Sequence, residues 1–319
     1  MAAPLRLGLI GAGRWGKVYL RTLPSLGERC RLTHLCTSRP ENAGLVPHPV
    51  TVVPEWRALI ASPCDAVIIA TPPATHADIL EACLEAGKPC IVEKPLCLDV
   101  ATAERLDARV RALDIPVLVN HVHLFDPAYQ ELKRLLAQSG EPVRLVCSEG
   151  VAFGPFRPET SALWDWGPHD LGLAFDLLGE RPARVDALAG PRAPDGSPEM
   201  ASLRMAFPSG SCAWVHVGRL APEKRRTLLV ATDRRLYRLD GTTPSRLTSA
   251  PFRFAERYAA GGTLAEPAPL PVPSPLSPMA AMLTYFLDGL AGGDRRYFGT
   301  ALACEIVRVI ADSEAAMTA

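Results

Sequence analysis

The sequence predicts an α/β fold: an N-terminal doubly wound parallel sheet of Rossmann type, followed by an α+β domain built on an open, largely antiparallel sheet. Three observations predict it. The first 120 residues alternate short apolar runs with amphipathic stretches, the pattern of a parallel sheet covered on both faces. Beyond about residue 140 the apolar runs follow one another between turn residues, as in an antiparallel sheet. The length, 319 residues, suits two domains rather than one core. The boundary is placed at 121/122, with residues 1–121 as the first domain and 122–319 as the second. The last helices could pack back on the first domain.

In order, Leu5–Ile10 reads as a buried strand and 14–26 as a helix. Strands are expected at 31–36, 50–53, 65–70, 89–92 and 116–120, with helices at 55–61, 74–86 and 99–113 between them. Gly87 is placed to end one helix and Asp99 to cap another. A helix at 127–138 leads to a strand at 143–151 and a helical region at 161–178. Strands follow at 184–189, 200–207, 212–217, 226–231 and 234–239, with Pro208-Ser209-Gly210 as a hairpin turn. Residues 266–278 hold six prolines, so that segment is extended and cannot join a central strand. Helices at 278–290 and 300–317 close the chain.

Composition narrows the function classes. Hydrophobic residues make up 48% and charged residues 21%, a globular balance. Lys+Arg and Asp+Glu are both 34, which argues against a general nucleic-acid binder. No apolar run reaches the length of a membrane span and no signal peptide is visible, so the expected location is the cytoplasm. The nine cysteines contain no Cys-x-x-Cys pair and read as buried thiols in a reducing compartment. Only five of the 34 basic residues are lysine, which singles out Lys94 among others as a position where a compact, titratable ammonium has a use.

Gly11-Ala12-Gly13-Arg14-Trp15-Gly16 joins the first strand to the first helix. That context is what a pyrophosphate needs: Gly11 for the tight turn, Gly13 for close approach to the backbone, Gly16 for helix–strand packing, and free N–H groups at the helix start. At the end of the second strand stands Cys36-Thr37-Ser38-Arg39-Pro40, with no acid before Glu41. A hydroxyl and a guanidinium there suit a 2′-phosphate, so NADP(H) is favoured over NAD(H), with Arg39 stacking on adenine as the alternative. The Thr71-Pro72-Pro73-Ala74-Thr75-His76 loop lies at the sheet edge where ligands bind in such folds. Thr71 and Pro72 are expected to face the cofactor; Thr75 could cap the next helix, and His76 could touch the cofactor or merely begin that helix.

Glu93-Lys94-Pro95-Leu96 ends a strand over the same edge. An ammonium there can hydrogen-bond a substrate hydroxyl, and a cis bond at Pro95 could aim it; alone, it could equally be a solvated lysine. In Trp164-Asp165-Trp166-Gly167-Pro168-His169-Asp170, Asp165 and His169 share a face if the segment is helical. A carboxylate beside an imidazole suits a general base, while a capping Asp and a core His is the alternative. Pro168 argues against a regular helix through the segment. His121-Val122-His123 could set two imidazoles on one strand face, but no third ligand stands at metal spacing. The pair is read as lining the pocket, with no metal expected.

Taken in order, Gly11–Gly16, Ala70–His76, Glu93–Leu96 and Asp165-x-Gly167-x-His169 resemble the glucose–fructose oxidoreductase/inositol dehydrogenase (Gfo/Idh/MocA) family. The resemblance covers nearly all of the first domain and the helical region of the second; no family motif is visible beyond Pro182. It implies a nicotinamide-dependent oxidoreductase acting on a secondary alcohol of a sugar, cyclitol or sugar nucleotide. It implies Lys94, Asp165 and His169 as the catalytic set, the substrate hydroxyl lying between His169 and Lys94. It also implies an open second-domain sheet that forms a homodimer or homotetramer. The cofactor set is then Gly11, Gly13, Arg14, Trp15, Gly16, Ser38, Arg39, Thr71, Pro72, His76, Glu93 and Lys94; the substrate set is Lys94, His121, His123, Trp164, Asp165 and His169. Where the family often has arginine or asparagine, this chain has His121-Val122-His123-Leu124, and with Asp126-Pro127 that stretch looks more like the sugar-nucleotide dehydrogenase branch. Two alternatives accompany this reading: a redox-neutral, NAD-using glycosidase-like enzyme, and a non-catalytic cofactor-sensing regulator.

Overall fold

The computed structural model describes residues 3–156, 160–243, 246–251 and 265–318. The chain divides into two compact units, Met1–Val122 with Leu276–Val307, and His123–Pro275 with Arg308–Ala319.

The first unit contains β1 (Leu5–Ile10), α1 (Arg14–Thr22), β2 (Cys30–Cys36), β3 (Thr51–Val53), α2 (Trp56–Ala61), β4 (Ala66–Ile69), α3 (His76–Glu85), β5 (Cys90–Glu93), α4 (Val100–Leu113) and β6 (Val117–Asn120). The strands run parallel in the order β3-β2-β1-β4-β5-β6. Strands β4, β5 and β6 are buried at every residue, which is why they read as unbroken apolar runs rather than alternations. The order reverses between β1 and β4, and in open α/β sheets ligands bind at such a reversal, beyond the carboxyl ends of the strands. Asp99 caps α4 by accepting from the Thr102 N–H at 2.8 Å, as its position in the sequence predicts. Thr75 does not cap α3. It sits in a short 3-10 turn, Pro73–Thr75, with near-helical φ −105° and ψ −6° rather than the extended backbone of a capping residue. Its Oγ1 turns back to Thr71 Oγ1 at 2.7 Å and the Pro72 carbonyl at 2.8 Å.

The second unit contains α5 (Pro127–Ser139), β7 (Leu145–Phe153), α6 (Ala162–Leu178), β8 (Arg184–Ala189), β9 (Met200–Ala206), β10 (Cys212–Gly218), β11 (Leu220–Ala231), β12 (Arg235–Asp240), β13 (Leu247–Pro251) and β14 (Ala268–Pro269). Its sheet runs β14-β13-β12-β11-β7-β10-β9-β8 and is antiparallel except for the central β7–β10 pair. The proline-rich segment contributes only the two-residue edge strand β14, since proline cannot donate to a central ladder. Strand β13 has no counterpart among the sequence expectations. Helix α6 covers one face, against which Ala201, Leu203 and Met205 of β9 and Ala213, Val215 and Val217 of β10 are buried. The alternate residues face away from α6, and Trp214 among them is 53% exposed.

Two helices close the chain. α7 (Pro278–Leu290) belongs to the first unit and packs on α1; α8 (Ala301–Thr318) follows. Among the described residues no helix is long and apolar enough to cross a membrane.

Candidate active site

In the first unit, Gly11 has φ +95°, and a Cβ there would meet the Ala70 carbonyl oxygen at 2.6 Å, so only glycine fits the turn. A Cβ on Gly16 would meet the Gly11 carbonyl oxygen at 2.0 Å, so that glycine allows α1 to start against the turn. Gly13 differs: nothing lies within 4 Å of its missing Cβ. Packing therefore does not explain this glycine, whereas a ligand lying on the backbone does. No side chain caps α1 and no acid stands in its first turn, so its N-terminal N–H groups and dipole are directed at that same space. These features fit a dinucleotide pyrophosphate. Arg14 and Gly13 are exposed and Trp15 is half-buried at this edge.

The loop after β2 is held to the glycine turn by Asn42, a buried residue whose Nδ2 donates to the Ala12 carbonyl at 3.0 Å. Sequence reasoning missed Asn42, because only the fold brings residue 42 beside residue 12. Ser38 and Arg39 are exposed on this loop, and Thr37 Oγ1 accepts from the Arg39 N–H at 3.0 Å.

His76 is wholly buried. Its Nδ1 lies 2.8 Å from the Pro95 carbonyl and its Nε2 2.9 Å from the Thr71 carbonyl. The ring thus ties the Thr71 loop to the turn after β5. Burial lowers its proton affinity and the Lys94 charge lowers it further, against the pull of the two carbonyls. Glu93, also buried, accepts from Tyr19 Oη at 2.9 Å and from Asn120 Nδ2 at 2.6 Å. Burial pushes the Glu93 carboxyl above the usual carboxylate range despite those donors, and pushes Tyr19 well above its ordinary value. Glu93 therefore joins β5, α1 and β6 beneath the edge that carries Lys94. Lys94 is 7% exposed, and the Lys94–Pro95 bond is cis.

In the second unit α6 runs unbroken through Pro168, against the sequence expectation of an irregular segment. Gly167 explains this: a residue before proline is kept from helical geometry partly by its Cβ, and Gly167 has none. Asp165 and His169 accordingly stand on consecutive turns. The His169 ring meets His123 edge-on, with centroids 4.6 Å apart and planes at 84°. His121 and His123 do not share a strand face. Strand β6 ends at Asn120 and residues Val122–Phe125 form a 3-10 turn, so His123 lies in that turn and His121 in the link before it. His121 is buried. The Trp164 indole is engaged by α8, its Nε1 donating to Glu314 Oε2 at 2.7 Å.

Beside Asp165 lies a residue that no motif singles out. Arg219, between β10 and β11, is 1% exposed. Its Nη2 lies 3.9 Å from Asp165 Oδ2 and its Nη1 3.6 Å from Glu199 Oε2. An arginine next to an apolar strand reads as surface; only the tertiary fold buries it. Among the described residues no group of three or more His, Cys, Asp or Glu side chains is arranged to hold a metal ion.

The family model of the NAD-binding Rossmann oxidoreductases matches residues 5–121, and that of the GFO/IDH/MocA C-terminal domain matches residues 129–242. The chain belongs to the GFO/IDH/MocA oxidoreductase family. Like other members it pairs a nucleotide-binding domain with a sheet domain, and a crystal structure of an oxidoreductase from Magnetospirillum magnetotacticum MS-1 superposes with TM-score 0.86 at 35% identity, covering 97% of this chain and 99% of that one. A UDP-N-acetylglucosamine 3-dehydrogenase from Acidithiobacillus ferrooxidans is 28% identical over 228 residues, 71% of either chain. The inositol 2-dehydrogenase of Mycolicibacterium smegmatis is 32% identical over 217 residues, spanning 65% of this chain and 63% of that relative. The family supplies the class of the reaction, a nicotinamide-linked oxidoreduction.

Proposed function

We propose that this family member interconverts a secondary alcohol and a ketone on a sugar, cyclitol or sugar nucleotide, with His169 as general base. The observation that carries the reading is the placement of Asp165 and His169 on consecutive turns of α6, in a chain whose other unit carries a cradle fitted to a dinucleotide. A cofactor sensor has no use for such a base. The names of two relatives, a UDP-N-acetylglucosamine 3-dehydrogenase and an inositol 2-dehydrogenase, support this class of substrate.

The roles divide by chemistry. His169 takes the hydroxyl proton on oxidation and returns it on reduction; Asp165 orients the imidazole. Lys94 donates to the substrate oxygen and stabilises the developing alkoxide charge. When bound, the nicotinamide supplies the hydride acceptor or donor. Gly13 and the N–H groups of α1 hold its pyrophosphate. Ser38 and Arg39 favour NADP(H), since no carboxylate precedes Glu41 on that loop to accept from a free ribose hydroxyl. The sheet face turned away from α6 pairs two copies of the chain. A hollow of about 730 Å³ there, lined by Leu188, Trp214 and Leu229 among others, leaves apolar surface for a partner to cover.

Turnover of inositols, aldoses and UDP-N-acetylhexosamines, followed at the nicotinamide absorbance with either cofactor, tests the proposal. Wild type is expected to oxidise at least one class. His169→Ala should lose roughly 10²–10⁴-fold in kcat with cofactor affinity unchanged. Glycoside cleavage without net change in nicotinamide would replace hydride transfer with a redox-neutral reaction, and tight cofactor binding without any turnover would mark a sensor.

A further inference from the structure

Arg219 is a fully buried cation in an unfavourable place. Its Nη2 donates to the carbonyls of Thr160 at 2.7 Å and Ser161 at 3.0 Å, and Ser161 is the N-cap of α6. A guanidinium at a helix N-terminus opposes the helix dipole. The backbone on both sides needs no arginine side chain: the Arg219 N–H donates to the Glu199 carbonyl at 2.9 Å, and its own carbonyl accepts from the Gly154 N–H at 2.9 Å. Buried ion pairs are weak contributors to stability, and apolar replacements of similar volume are often as stable. Beyond the two carbonyls, the side chain reaches Asp165, at 3.9 Å, and Glu199, at 3.6 Å.

We propose that Arg219 is a positioning residue of the active site, which holds Asp165 from behind and thereby sets the proton affinity of His169. This rests on the reading of His169 as the base. The neighbouring charges define the sign. On α6, Asp165 stands one turn before His169, and Asp170 is already paired with Arg226 at 2.8 Å. Before β9 stands Glu199; the turn after β8 carries Asp195, whose carboxyl is held low first by Ser197 and in part by the Arg219 charge. From α8, Glu314 is bonded by Ser161 and Trp164. His123 meets His169 edge-on. Arg219 is thus a cation set beside both Asp165 and Glu199. Its charge disfavours the imidazolium and keeps His169 available as a base at lower pH.

The test is the pH profile of kcat together with direct NMR titration of His169, its signal identified by its loss in His169→Ala. Arg219→Met should move the acid limb, and the His169 titration with it, to higher pH by about half a unit to one unit, the lower end of what a nearby charge does. Arg219→Lys should restore most of the wild-type position. Glu199→Gln removes the competing carboxylate and should move both to lower pH; it decides the matter even if Arg219→Met does not fold. A folded Arg219→Met with reduced kcat but an unmoved limb and titration would reduce Arg219 to a structural role and overturn the proposal, as would a Glu199→Gln shift to higher pH. Shifted titrations in an enzyme that His169→Ala leaves active would uphold the hold of Arg219 on His169 and remove the base assignment instead.

Discussion

Gly13→Ala and Gly16→Ala, three residues apart in one turn, should fail in opposite ways. At Gly16 a new Cβ would stand 2.0 Å from the Gly11 carbonyl oxygen and 2.9 Å from its carbon. Ordinary contacts lie near 3.5 Å, so one backbone segment must move by more than an ångström. Overpacking typically costs about 1–3 kcal/mol, and backbone on both sides of the clash puts this case near the upper end. For a unit of this size the melting temperature should fall by about 5–10 °C. Gly13 is extended, with φ −73° and ψ −151°, and has nothing within 4 Å of the new methyl group. The apo protein should be unchanged or slightly more stable, by up to about 1 kcal/mol, because the unfolded chain loses freedom. The methyl would occupy the space assigned to the pyrophosphate. Losing one or two charge-assisted N–H bonds, each worth about 1.5–3 kcal/mol, should weaken cofactor binding by about 10- to 100-fold or more. Fluorescence titration with NADH and NADPH, beside thermal melts of the apo proteins, reads both quantities. Wild-type affinity in Gly13→Ala would refute the cradle, and a wild-type melt in Gly16→Ala would refute the packing argument.

Arg39→Ala should weaken NADPH at least about tenfold more than NADH, since a charge-assisted contact is lost only with the 2′-phosphate; equal weakening in a binding titration would show that Arg39 stacks on adenine instead. The raised Glu93 carboxyl contributes stability that is fully present below the ordinary carboxylate value, about 4.3, and lost as pH rises through its folded value. Glu93→Gln should therefore gain melting temperature over wild type only on the alkaline side of that window, and parallel curves across pH would contradict the assignment. Trp214→Glu should convert a sedimenting oligomer to monomer and speed alkylation of Cys147 and Cys212, the two half-buried cysteines of the central strand pair. A wild-type protein that already sediments as a monomer would sink that prediction.

The local order of the chain is written in its residue pattern. Elements of the first unit were legible because a strand buried on both faces must be apolar throughout and a helix start must be uncapped or capped by a short polar side chain; Ala66–Ile69 and Asp99 are examples. The Gly11–Gly16 turn and the common helix face of Asp165 and His169 are legible because each depends on spacing within a few residues. What depends on distant residues comes from the folded chain. It gave β7 and β10 their parallel pairing, 67 residues apart at Leu145 and Cys212, and turned His76 and Glu93 into internal ties between strands and loops. It also buried Arg219 behind Asp165, 54 positions away. Burial and charge compensation are properties of three-dimensional neighbours, so a polar side chain such as Arg219 or Asn42 carries no sign in the sequence of which partner will satisfy it.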